Sequence, residues 1–191
     1  MTSNYVIWHN RSRKNECQLR DFVGLDNTFP LTSGASLRDH FPNDTTFAMD
    51  ADQPTHSKLT DSLGNTNRVI VASRRLADFF RQQGVPKVEY LPTTILNHKN
   101  RPIDEAYEIV HPVEPVDCLN LDGVAVRYSM ILPNKIDELD RIVLFEDKIP
   151  ADRVFFRSTF SKVILVKRSF ADAISAAGFT GFAWRELGEY T

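Results

Sequence analysis

The sequence predicts an α+β protein with a mixed, largely antiparallel sheet and two short helices. Three observations lead to this fold class. One short pattern occurs twice, at residues 69–91 and again 94 positions later at residues 163–185, without a gap. Each copy has the residue pattern of a strand, a helix and a second strand. The chain also carries 10 scattered prolines, which argue against long helices.

The two copies share more residues than chance provides. Roughly one or two identities are expected at a given offset with ordinary residue usage. Conservative matches, such as Tyr90 with Trp184, surround the identities. We therefore interpret the pattern as a duplicated strand-helix-strand unit. The six identical pairs are Val69/Val163, Ile70/Ile164, Arg74/Arg168, Ala77/Ala171, Asp78/Asp172 and Gly84/Gly178.

The first copy contains a complete set of helix signals. The apolar run 69–72 predicts a strand, and Ser73 can cap the following helix because its hydroxyl accepts a bond from a free amide of the first turn. Gly84 can adopt the left-handed conformation that ends a helix. The chain then alternates apolar and charged residues, which predicts a half-buried strand. The buried stripe of the helix is predicted at Leu76, Phe79 and Phe80.

The second copy repeats these signals with one difference. Gly178 ends the helix, but Lys167 stands where the first copy has the capping serine. We therefore expect a weaker helix start there. The buried stripe is predicted at Phe170, Ala173, Ile174 and Ala177.

The remaining chain predicts short strands and loops. Residues 1–67 read as N-terminal strands and loops packed on the same core as the duplicated region 68–191, so we expect a single globular domain overall. Helical turns are expected at 57–63 and 135–139. Further strands are expected at 5–8, 46–49, 108–110, 113–119, 124–128, 141–145 and 154–157.

Charge is unevenly distributed along the chain. Residues 104–152 carry twelve acidic and four basic side chains, a net of −8, whereas residues 1–103 and 153–191 each carry +3. A solvated acidic face that maintains solubility explains this asymmetry, and so does a surface that steers a basic partner. The candidate partner-binding residues are Asp137, Glu138, Asp140, Glu146 and Asp147.

Motifs that carry chemistry are missing from the sequence. It contains no phosphate-binding glycine loop, no HExxH and no CxxC. Cys17 and Cys118 read as reduced structural thiols, and a catalytic pairing of Cys118 with His111 is disfavoured by their separation along an extended segment. We expect no catalytic residues, no cofactor and no metal. The basic residues are dispersed, which argues against nucleic-acid binding. The N-terminus does not resemble a signal peptide, so we expect a cytoplasmic protein without membrane contact.

The residues of the repeat resemble a known family. The strand ending at 72–73, the helix 74–84 and the strand 88–92 are similar to the core of bacterial immunity proteins of polymorphic toxin systems, of the type 11 and type 43 kinds. Residues 58–61, 156–157 and 163–182 add to the similarity, which covers roughly 46–187. The resemblance implies a small cytosolic protein, encoded beside a toxin gene, that binds and neutralises its cognate toxin. It assigns no catalytic residues.

Three functions remain open at this point. The first is an immunity protein that occludes a toxin, whose active site would be basic if the acidic segment makes the contact. The second is a protein-binding adaptor with an unrelated partner. The third is a hydrolase that uses acidic residues with His111 or His98, and it is the least favoured. The sequence does not indicate the oligomeric state.

Overall fold

The described part of the chain forms two β-sheets, a two-stranded ribbon and three α-helices. The computed structural model describes residues 3–11, 13–131, 135–160 and 163–190. The helices are α1 (Phe29–Ser33), α2 (Arg74–Gln82) and α3 (Arg168–Ala176), and single 3-10 turns cover Glu146–Lys148 and Leu187–Glu189. The strands are β1 (Tyr5–Asn10), β2 (Gln18–Val23), β3 (Thr46–Met49), β4 (Ser62–Asn65), β5 (Ile70–Ser73), β6 (Val88–Leu96), β7 (Tyr107–Pro112), β8 (Val126–Tyr128), β9 (Ile136–Leu139), β10 (Phe155–Arg157), β11 (Ile164–Lys167) and β12 (Phe182–Arg185).

Antiparallel pairing dominates both sheets. One sheet has four antiparallel strands in the order β10-β11-β1-β12. The other is a closed barrel in the order β2-β3-β6-β7-β5-β4, in which β2 with β4 and β3 with β6 are the parallel pairs. Strands β8 and β9 form a separate antiparallel ribbon. The predicted α+β class, with a mixed and largely antiparallel sheet, is confirmed.

The duplication predicted from the sequence is also present in three dimensions. In the first copy, β5 and β6 both pair with β7, which lies between them; in the second copy, β11 and β12 both pair with β1. Strand β1, from the N-terminus, therefore takes the place in the second copy that β7 takes in the first. The registers agree: Val110 pairs with Ile70 and Tyr90, and Trp8 pairs with the equivalent residues Ile164 and Trp184.

The helix starts and stops follow the sequence signals. The Ser73 hydroxyl accepts a hydrogen bond from the Leu76 amide at 3.3 Å, whereas the Lys167 side chain caps nothing. Gly84 and Gly178 follow the helices with φ of +62° and +72°. Both glycines thus adopt the left-handed conformation that favours this residue type.

Helices α2 and α3 pack their apolar faces into one aromatic core. Phe80 of α2 and Phe170 of α3 meet edge to face, with ring centroids 5.1 Å apart. Trp8 of β1 contacts Phe80 at 6.3 Å, so the same core touches the four-stranded sheet. Each fully buried aromatic side chain contributes about 1.5–3 kcal/mol to folding. Side chains from both copies therefore share this core.

Five local expectations were wrong, and one of them concerns Ala177, which is exposed at the end of α3 rather than buried in its stripe. Residues 57–63 form no helical turn, and Ser62 instead begins β4. Residues 113–119 and 141–145 contain isolated bridges rather than strands. Residues 136–139 form strand β9 rather than a helical turn, and a register shift between Arg127 and Tyr128 leaves Asp137 as an extra residue. Ile136 and Leu139 therefore both face the core at a spacing of three, which imitates a helix in the sequence.

Candidate partner-binding surface

The five candidate acidic residues lie on the ribbon and on the segment that follows it. Asp137 and Glu138 belong to β9, and Asp140 follows its end. Glu146 and Asp147 begin the 3-10 turn Glu146–Lys148. Glu138, Asp140 and Asp147 are exposed, and Asp137 and Glu146 are half-buried.

Arg127 of β8 partly neutralises the ribbon. Its guanidinium forms ion pairs with Glu138 and, at 3.6 Å, with Asp137. The Arg127 side chain is 62 % exposed, so these pairs contribute little to stability. One guanidinium thus faces two carboxylates, so the net charge of these three side chains remains negative.

Asp140 and Glu146 have structural contacts of their own. The Asp140 carboxylate accepts a hydrogen bond from the Ala125 amide at 3.1 Å and thereby fixes the base of the ribbon. The Glu146 carboxylate accepts bonds from the Ser3 hydroxyl at 2.6 Å and from the Asn4 side-chain amide at 2.8 Å. Burial raises the pKa of Glu146, but these hydrogen bonds outweigh burial and place it below its usual value. Glu146 thus anchors the N-terminal segment.

The ribbon also carries exposed apolar side chains that the sequence reading did not single out. Met130 and Ile131, just after β8, are 102 % and 88 % exposed, and Tyr128 is 52 % exposed. Lys135 returns toward the body, with its ammonium 4.5 Å from the centre of the Phe29 ring. Large apolar side chains gathered at an exposed tip indicate an interaction site more often than isolated ones do. The signal in the sequence was a pair of adjacent apolar residues, Met130 and Ile131, directly after β8. We call Tyr128, Met130 and Ile131 the apolar tip.

The cysteine and histidine considered for catalysis are buried. Burial, reinforced by Asp117, raises the pKa of the Cys118 thiol to about 11, so the nucleophilic thiolate is scarce at neutral pH. The His111 ring is also buried, and its Nε2 lies 2.9 Å from the Ala35 carbonyl oxygen. These are properties of structural side chains, in agreement with the interpretation of Cys118 as a buried thiol.

Within the described ranges, no three His, Cys, Asp or Glu side chains gather as metal ligands would. The same part of the chain contains no helix with the length and apolarity needed to cross a membrane.

The fold and the surface define a small α+β protein, built on a duplicated unit, that exposes an acidic ribbon with an apolar tip. The model of the immunity protein family Imm11 matches residues 6–189. The chain belongs to this family. The resemblance carried by residues 46–187 is thus confirmed and extends to nearly the whole chain. No curated protein matches the sequence.

Proposed function

We propose that this protein binds a cognate protein toxin in the cytoplasm of the cell that makes both, and neutralises it by occlusion rather than by catalysis. The observation that carries the proposal is the family match over residues 6–189. The buried thiol of Cys118 and the structural role of Glu146 support a mechanism without chemistry.

The acidic ribbon supplies a charge argument for the contact surface. Glu138, Asp140 and Asp147 are exposed and lie in the segment of net charge −8. Complementary charge raises association rates and excludes wrong partners more than it adds affinity. The favoured partner is therefore a toxin whose active site, or its rim, is basic.

The apolar tip supplies the affinity that charge does not. Tyr and Met are enriched at protein interfaces, and a few anchors at the centre of a contact carry most of its binding energy. Met130 and Ile131 expose nearly their whole side chains, so a partner pocket that covers them gains apolar contact area. The apolar tip would enter the toxin surface while the exposed carboxylates face basic residues of the toxin.

Co-expression with the product of the neighbouring toxin gene tests the proposal. The native chain should restore growth and should co-purify with the toxin. A neighbouring gene that encodes no toxin, or a toxin that still kills, would reject the immunity role. A stable partner captured without any protection would support the adaptor function instead.

Charge reversal tests the surface separately from the function. Glu138→Lys with Asp147→Lys should slow association at least about tenfold at low salt, and the difference should shrink as salt is added. Met130→Asp should raise the dissociation rate. Asp172→Lys, on the exposed face of α3, is the matched control and should behave as the native chain does. Protection and kinetics unchanged in the ribbon variants would move the contact elsewhere.

A further inference from the structure

A cleft of about 290 Å³ opens beside the end of strand β1, and none of the five candidate acidic residues lines it. Its walls are formed by strand β1, the connection between β4 and β5, and the end of β12. The polar side chains that line it are His9, Asn10, Asn65, Arg68, Arg185 and Tyr190.

The lining of this cleft is cationic. Arg68 and Arg185 contribute two guanidinium groups, and among the described residues that line the cleft there is no carboxylate. Neither guanidinium forms an ion pair within the described part of the chain. Burial, and then the positive charges of Arg185 and Arg11, lower the pKa of His9, which lines the same cleft. Glu138 is near enough to influence Tyr190 but is not part of the lining.

The backbone holds Arg68 in a conformation that most residues avoid. Its φ is +57°, in the left-handed region. Neighbours impose this turn: the Arg157 guanidinium donates to the Arg68 carbonyl oxygen at 2.8 Å, and the Asn10 side chain donates to the Val69 carbonyl oxygen at 2.8 Å. A non-glycine residue held in this region by its surroundings is a common feature of ligand sites.

Comparison of the two copies shows that the cleft lies on a sheet face that is covered in the first copy and uncovered in the second. His9 pairs with Ala183 in the second copy as His111 pairs with Glu89 in the first. In the first copy the segment after α1 covers this face: His111 contacts the Ala35 carbonyl, and Glu89 accepts bonds from the Ser36 hydroxyl at 2.5 Å and the Leu37 amide at 2.9 Å. In the second copy His9 is exposed, and alanine replaces the glutamate that would hold such a segment.

A further difference between the copies concerns charge. Arg185 occupies the position that Leu91 occupies in the first copy, where leucine is buried in the barrel core. The open face has therefore exchanged an apolar residue for a guanidinium and an acid for alanine. Both exchanges make the uncovered face more positive.

We propose that this cleft binds a small molecule that carries a phosphate group. A guanidinium presents parallel donors that match phosphate oxygens, so the two guanidinium groups provide both charge and donors, and the His9 imidazole adds a ring N–H. The volume lies near the lower limit for ligand pockets, which suits a metabolite rather than a polymer. The proposal is independent of toxin binding.

Titration of the full-length protein tests this site. Inorganic phosphate and adenosine monophosphate are added at constant ionic strength, with chloride as the reference anion, and binding is followed by calorimetry. We expect saturable binding that Arg68→Gln and Arg185→Gln each weaken at least about tenfold, the usual scale for a lost charge-assisted hydrogen bond. Arg74→Gln, on the outer face of α2, should bind as the native protein does.

The two probes distinguish the source of the phosphate group. Equal affinities indicate that free phosphate suffices, and tighter binding of the nucleotide indicates a phosphate ester. Amide NMR of the native protein gives a readout that needs no variant: the Asn10 side-chain amide and the linked Trp8 indole should shift during the titration. Binding no stronger than that of chloride, or binding that survives both substitutions, would overturn the proposal.

Discussion

Gly181, just before strand β12 in the second copy of the repeat, packs against the start of strand β4, and replacing it with alanine should force the two strands apart. Its φ is +93°, and an added Cβ would lie 2.0 Å from the Ser62 carbonyl oxygen and 2.5 Å from the Thr60 hydroxyl. The neighbouring Thr180 binds the same segment, since its carbonyl accepts the Ser62 amide at 3.0 Å and its amide donates to the Asp61 carboxylate at 2.9 Å. A side chain at position 181 therefore forces β12 away from β4.

The cost has two parts. Alanine in a left-handed conformation costs about 1–2 kcal/mol. The backbone shift that relieves a 2.0 Å approach also weakens the bonds made by Thr180, each worth about 1 kcal/mol. We expect Gly181→Ala to lower the free energy of unfolding by about 3–4 kcal/mol. Gly178→Ala provides the matched control, because Gly178 has φ of +72° but open space around it, so the conformational cost alone applies.

Urea unfolding followed by circular dichroism measures both variants. With a denaturant slope of about 2 kcal/mol per molar, the midpoint should fall by roughly 1.5–2 M for Gly181→Ala and by less than about 1 M for Gly178→Ala. A second, lower transition in Gly181→Ala would also agree with loss of contact between β12 and β4. Equal midpoints for the two variants would refute the close approach of Gly181 to Ser62.

Three further predictions concern the helices and the buried histidine. Ser73→Ala should lower the free energy of unfolding by about 1 kcal/mol while Lys167→Ala changes it little, because the serine alone caps its helix; equal effects in urea unfolding would contradict this. Phe80→Ala should cost about 3–5 kcal/mol through the cavity it leaves, and a loss below about 1 kcal/mol would contradict its place in the shared core. Burial, with a smaller contribution from Arg157, lowers the pKa of His111 below its usual value of about 6.5. The unfolded chain then binds more protons below that pH, so the native protein should lose stability from about pH 6.5 downward more steeply than His111→Gln. Parallel curves for the two would show that His111 is not the group responsible.

Local signals in the sequence predicted the repeat units well because each signal acts within a few residues. Ser73, Gly84 and the apolar stripe determine where α2 begins, ends and packs; the stripe and the terminal glycine recur in α3, whose start has no side-chain cap. The acidic segment was also visible, since composition requires no coordinates. Its function as a partner surface remains a proposal.

Other features depended on contacts between distant residues. The sequence predicted a helical turn at strand β9 because Ile136 and Leu139 are three residues apart. This spacing results from a bulge in the pairing of β9 with β8, which the sequence of β9 alone does not show. The apolar tip emerged only when solvent exposure was known. The cleft beside His9 required strands that are far apart in the chain.

The sequence by itself determined that two equivalent strand-helix-strand units exist and that an acidic stretch separates them. Helix caps and apolar periodicity are local, so a single chain displays them without its partners. The tertiary structure alone decided that the N-terminal strand completes the second unit, as Tyr5 pairs with Lys167 across the whole chain. Strand pairing at such a distance depends on which apolar faces and free backbone groups meet after folding, and short-range sequence patterns do not contain that information.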